Sequence, residues 1–190
     1  VRPVGKPAWS PDGTSVAFLS SMWSDRGNTI GDVFIVPADG GKARDVTVSH
    51  GVSVNSFAWS SDSARILTVA HDDGGMGVSD VNVATTKRHA LWRADVVLAG
   101  ATESFDMNAS ETMVMVREDA SSPTDLWIAR RRQQALDWNR LTDLNPHSRE
   151  IEAGEARSLH WKGADGLDMQ GWLLLPPGSN AEEPLPMVTL

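Results

Sequence analysis

The hexapeptide Ala8-Trp9-Ser10-Pro11-Asp12-Gly13 returns fifty residues later as Ala58-Trp59-Ser60-Ser61-Asp62-Ser63, and each copy runs into a short apolar, strand-like segment. A third, eroded copy, Asp106-Met107-Asn108-Ala109-Ser110-Glu111, follows after a further 48 residues and leads into Thr112-Met113-Val114-Met115-Val116. A period of this size means a solenoid, a propeller or an array, so the repeat sets the fold before any single residue does.

Each unit reads as four short strands. In the first they lie around Trp9, over 15–20, over 32–37 and over 43–47, with Asp39-Gly40-Gly41 making the last reversal, because consecutive glycines accept the positive φ that tight hairpins require. The second unit places them around Trp59 and over 65–70, 78–83 and 88–92; the third over 104–107, 113–116, 125–129 and 138–142. Their β-branched and aromatic content and their length fit strands, and no long stretch shows helical periodicity. Four antiparallel strands per 40–50 residues is the pattern of a β-propeller blade. The expected fold is therefore all-β: a partial β-propeller of about three four-stranded antiparallel blades, over about 7–50, 56–93 and 104–145. Three blades do not close a ring that typically needs four to eight. Within the signature, Pro presets the turn, Asp bonds the backbone two residues on and Gly permits the reversal. Trp9 and Trp59 are read as wedges between neighbouring blades rather than as ligand contacts.

A formal charge of −8 and a pI near 5.0 argue against a nucleic-acid surface. The basic run Arg130-Arg131-Arg132 is short, without interleaved aromatics, and reads as a solvated turn. No apolar run approaches the roughly 18 residues of a membrane span. Cysteine is absent, which removes disulfides and thiolate metal sites and leaves cytoplasm and periplasm equally open. The chain starts at Val1 without the basic and apolar stretches of a signal peptide, and is expected to begin inside a longer protein.

After Leu141-Thr142-Asp143-Leu144-Asn145 the pattern changes. A connector over 146–157 leads to Ser158-Leu159-His160-Trp161-Lys162-Gly163, a turn at Ala164-Asp165-Gly166, a strand over 167–175 and the exit Pro176-Pro177-Gly178. Pro184-Leu185-Pro186-Met187-Val188-Thr189-Leu190 reads as the start of a buried strand. These junction motifs, in sequel to Trp-Ser-Pro-Asp-Gly blades, resemble the prolyl oligopeptidase family of serine peptidases, in its acylaminoacyl peptidase and dipeptidyl aminopeptidase branch. The resemblance implies that 1–145 is the C-terminal part of a propeller. It also implies that 158–190 is the first β-hairpin and the opening strands of an α/β-hydrolase domain.

Members of that family cleave peptide or acyl-amino bonds with a serine on a Gly-x-Ser-x-Gly elbow, an aspartate and a histidine, in that chain order. The nearest strings, Gly51-Val52-Ser53-Val54-Asn55 and Gly77-Val78-Ser79-Asp80-Val81, lack the closing glycine. The triad and the oxyanion loop are expected beyond Leu190, the chain alone is expected to be inactive, and no residue is assigned a catalytic, cofactor-binding or metal-binding role. The five histidines, His50, His71, His89, His147 and His160, show no zinc spacing. His71-Asp72-Asp73 reads as solvated residues of a Gly-rich hairpin loop. Asp72, Asp73, Glu118 and Asp119 are the carboxylates to consider for a substrate ammonium group. The implied partners are a peptide substrate, bound through the complete parent enzyme, the remaining blades and the catalytic domain, with no nucleic acid, membrane or cofactor. The alternative is a non-enzymatic, Tol-like propeller acting as a protein-binding scaffold, which would use 158–190 as strands of a further blade.

Overall fold

The computed structural model describes residues 3–20, 30–99, 105–179 and 185–189. Three antiparallel sheets follow the three repeats. The first orders β1 (Val4–Trp9), β2 (Ser15–Ser20), β3 (Asp32–Pro37) and β4 (Arg44–Asp45); the second orders β5 (Ser53–Trp59), β6 (Arg65–Asp72), β7 (Gly75–Asn82) and β8 (Arg88–Ala94). In the third, β11 (Met113–Glu118), β12 (Asp125–Arg132) and β13 (Ala135–Arg140) run in sequence, and the place of the first strand is shared. There β9 (Val97–Leu98) pairs with Arg117 and Glu118, while β10 (Asp106–Met107) pairs with Met113 and Val114. The equivalent strands of the other sheets are each bent by a register shift, between Gly5 and Ala8 and between Val54 and Ser56. A 3-10 helix over Pro146–Glu150 leads to a separate two-stranded sheet, β14 (Glu155–Lys162) with β15 (Asp168–Leu175).

The repeated signature folds the same way each time. Ser10 Oγ donates to Asp12 Oδ1 at 2.6 Å, the Thr14 amide donates to the same oxygen at 3.0 Å, and the Ser15 amide donates back to Ser10 Oγ at 2.9 Å. Ser60, Asp62, Ala64 and Arg65 repeat this set at 2.6, 3.0 and 2.9 Å. These bonds hold the carboxyls of Asp12 and Asp62 below their ordinary value, the serine hydroxyl contributing most. In the eroded copy Asn108 Oδ1 replaces both side chains, accepting from the amides of Ser110 and Thr112 at 3.0 Å. The residue that follows is left-handed in all three, with φ of 73° at Gly13, 58° at Ser63 and 57° at Glu111.

Two cores separate the three sheets. Leu19, Val33, Val54, Trp59, Ile66 and Val81 fill the first interface; Leu67, Val69, Met76, Val78, Leu98 and Met113 fill the second. The second sheet is thus covered on both faces, and seven of the eight residues of β7 are buried, as expected of a strand packed on two sides. Trp59 is 9% exposed and donates from Nε1 to the Ala8 carbonyl at 3.2 Å, which makes it the wedge that its position in the repeat suggests. Trp9, at the same position one repeat earlier, is 63% exposed.

Several expected strands move. The fourth strand of the first unit stops at Asp45, because Thr47 leaves the ladder: its Oγ1 accepts from the Val33 amide at 2.9 Å and its amide donates to Asp45 Oδ1 at 2.8 Å. The third unit repeats the device, with Thr142 Oγ1 accepting from the Leu126 amide at 2.9 Å. There the fourth strand spans Ala135–Arg140 rather than 138–142, since a turn with Gln133 at φ 55° reverses the chain earlier, without a glycine to mark it. The run Arg130-Arg131-Arg132 is the end of β12, not a turn. Strand β14 begins at Glu155, inside the segment read as connector. Residues 185–189 form no strand, and Met187 and Val188 are exposed, so the buried strand expected there is not observed; no described strand lies alongside to pair with it. Ser104, Pro184 and Leu190, the ends of expected strands, lie outside the described residues.

Asp125, 1% exposed at the head of β12, ties off the third sheet. It accepts from Thr142 Oγ1 at 2.6 Å, from the Leu144 amide at 3.0 Å and from Arg140. These bonds, the Thr142 hydroxyl foremost, hold its carboxyl below the ordinary value against the opposing effect of burial. A depressed folded pKa contributes stability that is present above the unfolded value of about 3.9 and is lost as pH falls through the folded one. Asp125→Asn is expected to melt below the wild type at pH 7, with the gap closing under about pH 4; melting curves across that range check it.

Candidate functional site

Asp73 and Gly74 close the β6–β7 hairpin as a two-residue turn, with φ of 49° and 76°, the left-handed pair that Asp-Gly supplies in tight hairpins. This turn is the seat of the β14–β15 hairpin. His160 Nε2 lies 2.8 Å from Asp73 Oδ1, and Trp172 Nε1 donates to the Gly74 carbonyl at 3.2 Å. Gln170 packs against the turn so closely that a methyl group on Gly74 would fall 2.3 Å from its amide. Arg93 Nη2 donates to the Asp73 carbonyl at 2.7 Å and Nη1 to Asp95 Oδ1 at 2.5 Å, bracing the turn.

The histidine and carboxylate candidates of the sequence are thereby sorted. His71 and Asp72 belong to β6 rather than to a loop, and only Asp73 remains in the turn. Asp72 Oδ2 accepts from Arg88 Nη2 at 2.5 Å, while Arg88 Nε donates to Ser79 Oγ at 2.9 Å. Glu118 accepts from Thr124 Oγ1, and Asp119 Oδ1 from the Ser121 amide and hydroxyl at 2.9 and 2.8 Å. Burial pushes the Asp119 carboxyl up, but the Ser121 and Ser122 bonds together bring it below its ordinary value. All four carboxylates thus have internal partners. Only Asp73 and His160 are joined from the two candidate groups.

Ser53 starts β5 and Ser79 lies within β7. Ser79 is 2% exposed and its hydroxyl is held by Arg88, which is not the exposed strand-to-helix presentation of a nucleophile. His50 Nε2 lies 2.8 Å from the Thr86 carbonyl, His89 is exposed on β8, and His147 sits in the 3-10 helix. Among the described residues no three His, Asp or Glu side chains group to hold a metal ion, and no helix is long and apolar enough to cross a membrane.

Two charged clusters have no signature in the sequence, since neither follows a spacing motif. Between the second and third sheets, Arg65 and Arg131 each contact both Asp80 and Glu111. Arg65 Nη1 lies 3.4 Å from Asp80, Arg131 Nη2 2.5 Å from Asp80 and Arg131 Nη1 3.2 Å from Glu111, and Arg65 Nη2 closes the square on Glu111. The square raises the pKa of both arginines above the ordinary value, through Glu111 first for Arg65 and Asp80 first for Arg131. Elsewhere on the second and third sheets, the guanidinium carbon of Arg117 lies 4.5 Å from the ring centroid of Trp127, 5.2 Å from that of Trp92 and 5.6 Å from that of Trp138. Trp92 and Trp138 are themselves 4.9 Å apart.

Repeating four-stranded sheets packed face to face, with a hairpin outside them, define an arc of a β-propeller with an appended element. No protein-family model matches the chain. In sequence it is similar to the uncharacterized peptidase YuxL of Bacillus subtilis, 36% identical over 75 residues that cover 39% of this chain and 10% of that protein. It is also similar to dipeptidyl-peptidase 5 of Porphyromonas gingivalis, 22% identical over 184 residues that cover 96% of this chain and 26% of that protein. Among solved structures the fold matches AtxE2 isopeptidase, with TM-score 0.66 and 15% identity over 95% of this chain and 26% of that one. It matches the Pyrococcus horikoshii acylaminoacyl peptidase with TM-score 0.60 and 15% identity, over 87% and 24% of the two chains. For the β-propeller domain of the trilobed protease of Pyrococcus furiosus the values are 0.54 and 10%, over 94% and 56%. The resemblance to peptidases read from the sequence thus recurs in curated relatives and in solved structures. The chain spans no more than about a quarter of the length of the two curated relatives.

Proposed function

We propose that this chain is part of a serine peptidase of the prolyl oligopeptidase type, in which 1–145 contributes propeller blades, 146–157 a linker, and 158–190 the entry into an α/β-hydrolase domain. In the whole protein a serine would be acylated by a short peptide or acyl-peptide, and the propeller would gate access and exclude large substrates. The peptide substrate, the other blades and the catalytic domain are the partners of that reading. Its main support is the β14–β15 hairpin. The hairpin stands as its own two-stranded sheet, with Trp161 and Trp172 49% and 41% exposed, instead of adding a further blade. A scaffold propeller would have taken those residues into a fourth sheet.

The exposed apolar side chains Leu159, Trp161 and Met169 of this hairpin suit a covering domain. The direct test is a serine-directed fluorophosphonate probe applied to this chain and to the longer polypeptide that continues past Leu190. The reading requires labelling of the longer protein, together with hydrolysis of acyl-peptide anilides, and no labelling of the 190 residues alone. Absence of a reactive serine in the longer protein sinks it.

A further inference from the structure

The Arg117 cluster is built from donors only. An indole carries an N–H and no acceptor, and a guanidinium carries five N–H groups and no acceptor. Trp92, Trp127 and Trp138 therefore offer Arg117 the negative faces of their rings but nothing for its N–H groups to bond. Among the described residues Arg117 makes no salt bridge. Asp119 lies near enough to be felt as a charge, but Ser121 engages its carboxylate. One indole of the cluster, Trp138 Nε1, is buried without a hydrogen-bond partner. A buried polar group left unmatched in a native fold calls for an explanation.

We propose that Arg117, with its three tryptophans, is a binding site for a small oxyanion, a carboxylate or a phosphate, held by the in-plane N–H groups of the guanidinium. The three rings crowd the half-buried guanidinium at 4.5–5.6 Å, and its N–H groups, which no described acceptor engages, match a two-oxygen acceptor. Burial lowers the Arg117 pKa, which marks a cation short of compensating negative charge. Arg117 lies near the end of β11, paired with Leu98 of β9, so the site sits where the second and third sheets meet. The site takes its ligand whether or not any longer protein is a peptidase, because binding needs no residue outside this chain.

The experiment uses the full 190-residue chain with nitrogen-15-labelled tryptophan, which shows one indole N–H signal per ring. N-acetyl-diglycine, its amide and inorganic phosphate are titrated separately. The expected result is saturable movement of the Trp92, Trp127 and Trp138 signals with the free carboxylate or with phosphate, and none with the amide; the anion that saturates first identifies the source. Arg117→Gln should weaken that binding at least tenfold with the remaining indole signals in place. If Arg117→Gln does not fold, Arg117→Lys serves, since it keeps the charge, loses the planar fork and should also bind at least tenfold more weakly. Silence toward both anions, equal response to the amide, or unchanged binding in the variant that folds overturns the proposal.

Discussion

Replacing Asp80 by alanine is expected to destabilise the chain by about 3–5 kcal/mol, the cost typical of removing one partner from a buried ion pair. Asp80 is 5% exposed and serves two arginines from different sheets. Its loss leaves Arg65 and Arg131, about a quarter exposed, to share Glu111 alone. The charge is partly sheltered, so added salt should change the effect little. Urea denaturation of wild type and Asp80→Ala measures it, and a loss under about 1 kcal/mol would place the square with ordinary surface pairs. Adding Arg131→Met should recover part of the loss, since an apolar side chain no longer needs a counter-charge.

Trp59→Ala is expected to cost about 3–5 kcal/mol, the range for deleting a buried tryptophan, whereas Trp9→Ala should stay within about 0.5 kcal/mol. The two residues hold one position of one repeat. Only Trp59 has a neighbouring sheet on its ring side, and only its indole reaches the carbonyl of Ala8 across the interface. Parallel urea titrations of the two variants give the comparison. Equal costs would show that the ring stabilises its own turn rather than the contact between sheets.

The features legible in the sequence are those that local chemistry repeats. Ser10 with Asp12 and Ser60 with Asp62 announce the turn, and the apolar segments after them announce the strands, because those bonds span two to five residues. What remained hidden depends on side chains far apart in the chain. Arg65 finds Glu111 and His160 finds Asp73 across sheets whose packing no spacing encodes. The Arg117 cluster joins three tryptophans from three different strands. Strand ends fell in between. A Gly-rich hairpin loop around His71-Asp72-Asp73 is legible, yet its tightness, which keeps His71 and Asp72 on the ladder, shows only in the register. Gln133 carries no turn signal at all, so β13 starts at Ala135, ahead of the expected 138.

Glu111 shows why these units are not interchangeable parts. It occupies the left-handed position filled by Gly13 in the first repeat, a conformation costing an L-residue roughly 1–2 kcal/mol. Its carboxylate also closes the four-charge square. An engineer rewriting the third copy on the pattern of the first would place glycine there, relax the turn, and in the same stroke remove the Arg65–Glu111 tie between the second and third sheets, leaving Arg131–Asp80 to hold alone. Divergence of the third copy is therefore a division of labour, in which a spacer residue has become a fastener.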